Sequence, residues 1–299
     1  MLKKILLSAK KQDDIIDLIL DKLLNIEDFE FIFHDPTLEH LDLENLSEFF
    51  KNIDFIIVKV AGECSFDILH YAKLYNIPTL HDIDAVLMCK NKVALDQAMR
   101  KTLNKHSQDL KSFKLPKSWT NSVNNEHKFK EWAKDKLPIV LKSHYQHEKY
   151  NRFNFLVRDL KEVDIFRERY KQFLYYDVYI QEFIECDAID RKIYVIGDKI
   201  FGIQRENPIY IFMRENPEDI DVSTIKRENL KITDEIRKLA KILSTELNLK
   251  IFGFDLLKPL SQEGYYLIDL NDFPGFRGIE HVEDAFIDFI TKYLKEFFS

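Results

Sequence analysis

Short apolar runs alternate with amphipathic ones at the start of the chain. Lys4–Leu7, Phe29–Phe33 and Phe55–Val60 read as strands, with Pro78–Leu80 as a fourth. Between the first two, Ile15, Leu18, Ile19 and Leu23 recur at helical spacing within Asp14–Leu24, and Phe66–Leu74 reads as a second helix. This alternation predicts a parallel sheet with helices on both faces, whose ligands gather at the carboxyl ends of the strands. Further on, the spacing predicts helices over Asn91–Leu103 and Glu126–Ala133, a strand entry at Leu115, Pro116 and Trp119, and a buried strand from Leu137 to Lys142. Val178–Asp187 reads as a strand running into a hinge. Arg191–Gly197 and Ile200–Gln204 form a hairpin turned by Gly197 and Asp198. Asn207–Asn229 is polar and turn-rich, the composition of a mobile surface loop. Ile236, Leu239, Ala240, Leu243 and Leu247 give an amphipathic helix over Asp234–Leu247, with Thr233 or Asp234 as its N-cap. Two apolar strands, Ile251–Leu257 and Tyr265–Leu270, flank a polar turn containing Gly264, and a helix over Glu283–Phe298 follows.

Composition narrows the class. With 299 residues, 45% hydrophobic and 32% charged, the chain can bury the cores of two or three subdomains. No apolar run is long enough to span a membrane, and Ile5–Leu7 is too short for a signal-peptide core. Cys64, Cys89 and Cys186 lack metal or redox spacing, as expected of a reducing, cytoplasmic setting. A net charge of −7 argues against nucleic acid as a partner but leaves room for a small polyanion at a local basic site. With seven glycines and neither GxxxxGK nor GxGxxG, a Walker or Rossmann phosphate loop is excluded. The expected protein is a monomer with no membrane partner.

The candidate chemistry sits in FGFDLLKPLSQEGYYLIDLNDFPGFRG, residues 252–278. Each hairpin strand carries an acid where an apolar residue is expected, Asp255 and Asp269. Asn271 lies two residues beyond Asp269 and so on the same face. Two carboxylates and an amide oxygen on one sheet face suit Mg²⁺, which takes a few hard oxygens alongside substrate phosphates.

The pattern D-x13-D-x-N followed by FPG, an aromatic, any residue and Gly resembles the magnesium motif of the inositol 1,3,4-trisphosphate 5/6-kinases (inositol tetrakisphosphate 1-kinases) of the ATP-grasp superfamily. The resemblance implies an α/β ATP-grasp fold: an N-terminal parallel subdomain over 1–90 and two α+β subdomains, 91–182 and 183–299, clamping ATP. It implies ATP and Mg²⁺ as cofactors and an inositol phosphate as substrate, with Asp255, Asp269 and Asn271 as metal ligands. Lys92, Lys142, Gln181, Phe183, Ile184 and Lys192 would face the nucleotide. Lys11, Lys59, His147, Arg205, Asn271 and Gly275 would face the substrate, with Lys192 and His147 closest to the chemistry. Lys59 closes an apolar strand without a polar break, so it needs a partner whatever its role. Two departures stand out: Glu148 replaces a glycine of the family, and Glu206-Asn207-Pro208 stands where the kinases have an R-P-S-L-like run. The alternative is an ATP-grasp carboxylate–amine ligase resembling the ribosomal-protein glutamate ligases. Those usually carry Glu where this chain has Asp269 and Arg where it has Lys192.

Overall fold

The computed structural model describes residues 2–145, 153–215 and 220–299. At the start, β1 (Lys3–Ser8), α1 (Asp14–Leu24), β2 (Phe29–His34), the single turn α2 (Leu46–Phe49), β3 (Phe55–Val58) and α3 (Glu63–Leu74) follow one another. The strands form a parallel sheet in the order β2-β1-β3, with Leu7 beside Phe33 and Ile57. Alternation along the strands sends Ile5, Leu7, Phe55 and Ile57 to one face, against Ile15 and Ile19 of α1 and against Phe286, Ile290 and Leu294 of the helix Val282–Phe298. Leu6, Ile56 and Val58 face the other way, onto Phe66 and Leu69 of α3 and onto Ile83 and Val86 of α4 (Ile83–Lys90). Pro78–Leu80 does not make a full fourth strand. Thr79 forms one parallel bridge to Ile56, and Leu80 then runs into the Asp82 cap of α4.

The middle of the chain supplies α5 (Lys92–Lys105), β4 (Phe113–Lys114), β5 (Ser118–Ser122), α6 (Glu126–Ala133), β6 (Ile139–Lys142), β7 (Asn154–Val157), α7 (Leu160–Arg169) and β8 (Asp177–Glu182). Four of its strands form an antiparallel sheet, β5-β8-β6-β7. Ile139, Leu141, Val178 and Ile180 pack behind it with Phe129 of α6 and Phe166 of α7. Val140, Lys142, Tyr179 and Gln181 therefore line the opposite face, and Lys142 pairs in register with Tyr179.

The last part contributes β9 (Ile189–Ile196), β10 (Lys199–Glu206), α8 (Pro208–Glu215), β11 (Arg227–Asn229), α9 (Asp234–Glu246), β12 (Ile251–Leu257), β13 (Tyr265–Asp272) and α10 (Val282–Phe298). Its sheet runs β11-β10-β9-β12-β13-β4, so Phe113 and Lys114 close the edge beside Tyr265 and Tyr266. Thr233 caps α9 by accepting from the Ile236 amide. The buried stripe of α9 meets Phe252, Phe254 and Leu256 from the sheet and Leu95, Met99 and Leu103 from α5. Gly264 makes the β12–β13 turn possible: its φ is +94°, and a Cβ there would stand 2.3 Å from the Ser112 carbonyl oxygen. The expected loop over Asn207–Asn229 instead contains a helix and a strand, α8 and β11. Pro208 starts α8 at a position where its missing N–H costs nothing, and Asn207 Oδ1 accepts from the Ile209 amide at 2.8 Å. The Tyr210 hydroxyl accepts from the Cys186 amide at 2.7 Å, and Arg227–Asn229 extends the sheet beside β10. Among the described residues no helix is long and apolar enough to cross a membrane.

His81 ties the first part of the chain to the last. Its ring is buried, and Nε2 accepts from the amides of Lys250 and Ile251 at 3.0 and 3.1 Å, at the start of β12. Burial pushes its pKa down to about 4, against the pull of Asp272 and Asp82 and with the help of Lys250 and Lys90. The unfolded chain takes up this proton near the ordinary histidine value, so between about pH 6.5 and pH 4 it binds more protons than the folded chain. The contribution of His81 is therefore complete above pH 6.5 and declines as pH falls, by about 3 kcal/mol at pH 4. Urea unfolding across that range should show the decline. His81→Gln, which keeps an acceptor but cannot titrate, should flatten it; an unchanged slope would mean the decline arises elsewhere.

Candidate functional site

Three adjacent strands lay a row of charge across one face of the large sheet. Lys192 on β9 is the register partner of Asp255 on β12, and Asp255 is the register partner of Asp269 on β13. A lysine within a central strand is costly unless paired. Lys192 Nζ meets Asp255 Oδ2 at 2.5 Å. Burial works against its ammonium, but Asp255 and Asp190 outweigh that and raise its pKa. Asp269 pairs with Lys92, whose side chain is only 5% exposed. Lys92 is the first residue of α5, where the helix dipole disfavours a cation, so the carboxylate offsets both the burial and the dipole. Asn271 faces Gly253 across the strands. A Cβ on Gly253 would come within 3.1 Å of the Pro274 ring, so glycine lets the turn after β13 fold back against the sheet.

Asp190 precedes Lys192 by two residues, on the same face, and lies opposite Arg205 of β10. It is buried and meets Arg205 Nη2 at 3.5 Å, while Asn207 Nδ2 donates to it at 2.7 Å. Burial raises its pKa, partly countered by Lys192 and Arg205. Arg205 Nε is buried and finds no acceptor among the described residues. Neither Asp190 nor its bond to Asn207 figures in the sequence reading. The signal was there in the spacing D-x-K within an apolar strand, which puts both charges on one face.

The opposing wall comes from the four-stranded sheet. Lys142 Nζ donates to Gln181 Oε1 at 2.5 Å and reaches the Ile268 carbonyl, one residue before Asp269, at 3.4 Å. Burial lowers its pKa to about 8, although Asp269 and Asp255 pull the other way. Phe183 stands 5.9 Å, centroid to centroid, from Tyr210, and its amide donates to the Pro138 carbonyl. Ile184 is buried with Cys186 and Leu257.

The structure thus gathers Lys92, Lys142, Gln181, Lys192, Asp255 and Asp269 into one connected set and links Arg205 to it through Asp190. Lys59 finds the partners its position demands. Its Nζ donates to the Phe273 carbonyl at 2.9 Å and faces Asp13 at 3.4 Å, and burial lowers its pKa. It therefore joins the carboxyl end of β3 to the turn that follows Asn271. Gly275 in that turn has open space where a Cβ would stand. Lys11 is exposed in the loop after β1, its amide donating to Asp35. His147 and Glu148 lie outside the described residues.

The backbone matches that of a RiPP-associated ATP-grasp ligase from Chryseobacterium gregarium, solved with ADP and with leader and core peptides. The TM-score is 0.64 over 97% of both chains, at 15% identity. The chain has the ATP-grasp fold. Within that ATP-grasp fold, residues 213–292 match the family described as inositol 1,3,4-trisphosphate 5/6-kinase ATP-grasp domain, which bears out the resemblance carried by the hairpin motif. The chain is 30% identical over 134 residues to inositol-tetrakisphosphate 1-kinase 1 of Oryza sativa subsp. indica, covering 39% of this chain and 38% of the rice protein. It is also 30% identical over 125 residues to probable alpha-L-glutamate ligase 2 of Shewanella denitrificans, covering 40% of each. The chain therefore spans about two fifths of the length of the curated relatives it matches.

Proposed function

We propose that this ATP-grasp chain is an ATP- and Mg²⁺-dependent kinase that phosphorylates a hydroxyl of an inositol polyphosphate. One observation carries the reading: Asp255 and Asp269 stand directly opposite each other in a row with Lys192, beside the turn that Lys59 reaches from the first sheet. The donor set fits the metal: Asp255 and Asp269 are register partners, and Asn271, two residues beyond Asp269, adds an amide oxygen on the same face. Asp255, Asp269 and Asn271 would hold Mg²⁺, which when bound neutralises charge on the nucleotide phosphates. Phosphoryl transfer asks the protein mainly for positioning and charge, and no covalent nucleophile is needed. Lys92, Lys142 and Lys192 would receive the phosphates of ATP, as expected of a fold whose relative from Chryseobacterium was solved with ADP. Gln181, Phe183 and Ile184 would border the base. Lys11, Lys59, Arg205, His147, Asn271 and Gly275 would orient the substrate.

The test is ATP consumption scanned against inositol phosphates and against amino acids or peptides. ADP release with an inositol phosphate, and none with amines, is the expected result. Lys59→Ala should then raise KM for the inositol phosphate about tenfold and leave KM for ATP unchanged. A cation away from the reacting hydroxyl binds ground state and transition state alike, and a charge-assisted hydrogen bond of about 1.5–3 kcal/mol is lost. Added salt should act in the same direction as the substitution. The second reading, a carboxylate–amine ligase working through an acyl phosphate, is favoured by the Shewanella relative and by the ligase from Chryseobacterium. It prevails if ADP is released only when an amino acid or peptide is present.

A further inference from the structure

Helix α5 reaches the candidate site twice on one face. Lys92, at its start, meets Asp269; Asp96, one turn on, is also buried and points toward the four-stranded sheet. Asp96 is held from several sides. Arg100 Nε donates to it at 2.7 Å, Ser118 Oγ at 2.8 Å and the Tyr179 hydroxyl at 2.9 Å. Arg100 in turn donates to the Pro116 carbonyl and to Ser118, so the carboxylate cannot turn without breaking several bonds.

From this fixed end a single chain of hydrogen bonds runs to Lys142, and donor chemistry dictates its direction. An ammonium only donates, so Gln181 must turn Oε1 toward Lys142, at 2.5 Å. That places the amide nitrogen toward the Tyr179 oxygen, at 2.9 Å. The phenol oxygen is then an acceptor on one side, and its hydrogen points at Asp96. Burial beside Asp96 pushes the phenol pKa up, which keeps that hydrogen in place. All four side chains are buried, and none of them has a buried nitrogen or oxygen without a partner.

We propose that Tyr179 and Asp96 are positioning residues for Lys142, acting through the amide of Gln181. The inference rests on Lys142 being a nucleotide-binding lysine. Without the Tyr179 hydroxyl the Gln181 amide nitrogen keeps only its longer bond to the Ile268 carbonyl, at 3.4 Å, so the amide swings more widely and its Oε1 holds the ammonium in one place less firmly. Lys142 then samples positions away from the cleft and meets phosphate less often.

The test is a double-mutant cycle read by calorimetric titration of the whole chain with ADP. Tyr179→Phe removes one oxygen and keeps the ring, and it should weaken ADP binding about fivefold when Lys142 is present. In a Lys142→Ala chain the same change should have no effect, because the group it positions is gone. Equal weakening in both backgrounds would make Tyr179 merely structural, and no weakening in either would show that Lys142 needs no such support. If Lys142→Ala alone leaves ADP affinity intact, the nucleotide role of Lys142 fails and the inference falls with it. If Lys142→Ala weakens binding and Tyr179→Phe does not, the inference alone is overturned. Should Tyr179→Phe fail to fold, Asp96→Asn loosens the same chain at its far end and carries the same expectations.

Discussion

Asp269→Asn should lower kcat about a hundredfold or more while the chain stays folded. The side chain stands opposite Asp255 and against Lys92, on the face of the hairpin that looks into the cleft. Removing its charge removes transition-state stabilisation worth several kcal/mol if the pair holds a catalytic metal ion. The loss should appear equally in kcat and kcat/KM, the pattern of an interaction made mainly in the transition state. Asparagine keeps an oxygen facing Lys92 and nearly the same shape, so thermal unfolding should shift only slightly. Steady-state ADP release and a melting curve on the same preparation test both halves. Turnover near that of the parent chain would make the hairpin a structural element and remove the basis for the proposed function.

The other face of the same strand carries the opposite expectation. Phe254 adjoins Asp255 in sequence but points away from it, fully buried with Phe252, Leu239 and Leu243 under α9. Phe254→Ala should destabilise the chain by about 3–5 kcal/mol, the sum of lost burial and a cavity that the packed sheet and helix cannot close. Urea unfolding measures this directly. At low temperature, where the variant is folded, kcat should stay within about threefold of the parent, because the backbone of β12 is held on both edges by β9 and β13. A large drop in kcat without loss of stability would mean that the two faces of β12 are not separable.

Much of this arrangement was legible in the sequence, and the exceptions share a physical cause. The helix over Glu126–Ala133 and the strand Ile251–Leu257 carry their own periodicity and turn signals, and both form with those bounds. That Asp255 and Asp269 stand together on one sheet face was readable because an acid within an apolar strand is expensive and demands a reason. Helix α8 was not readable, since it depends on Pro208 as a first-turn residue and on Tyr210 reaching Cys186 across space. The chain from Asp96 to Lys142 was equally hidden. Asp96 and Tyr179 look like an exposed helix acid and a strand aromatic until α5 docks against β8. Pro78–Leu80 failed as a strand because its apolar character belongs to a connection already committed to the cap of α4.

The packing of α10 bears on how the chain is made. The face of the first sheet formed by Ile5, Leu7, Phe55 and Ile57 is covered partly by Phe286, Ile290 and Leu294. Those residues leave the ribosome only after the other two sheets have been synthesised. Until then the emerging N-terminal strands hold an uncovered apolar surface, which favours premature association with other chains and gives chaperones a place to bind. Contacts so distant in sequence also close slowly, because the loop entropy must be overcome before the packing rewards it. Closure of the first sheet's core is therefore a late event, completed when α10 returns to β1 and β3.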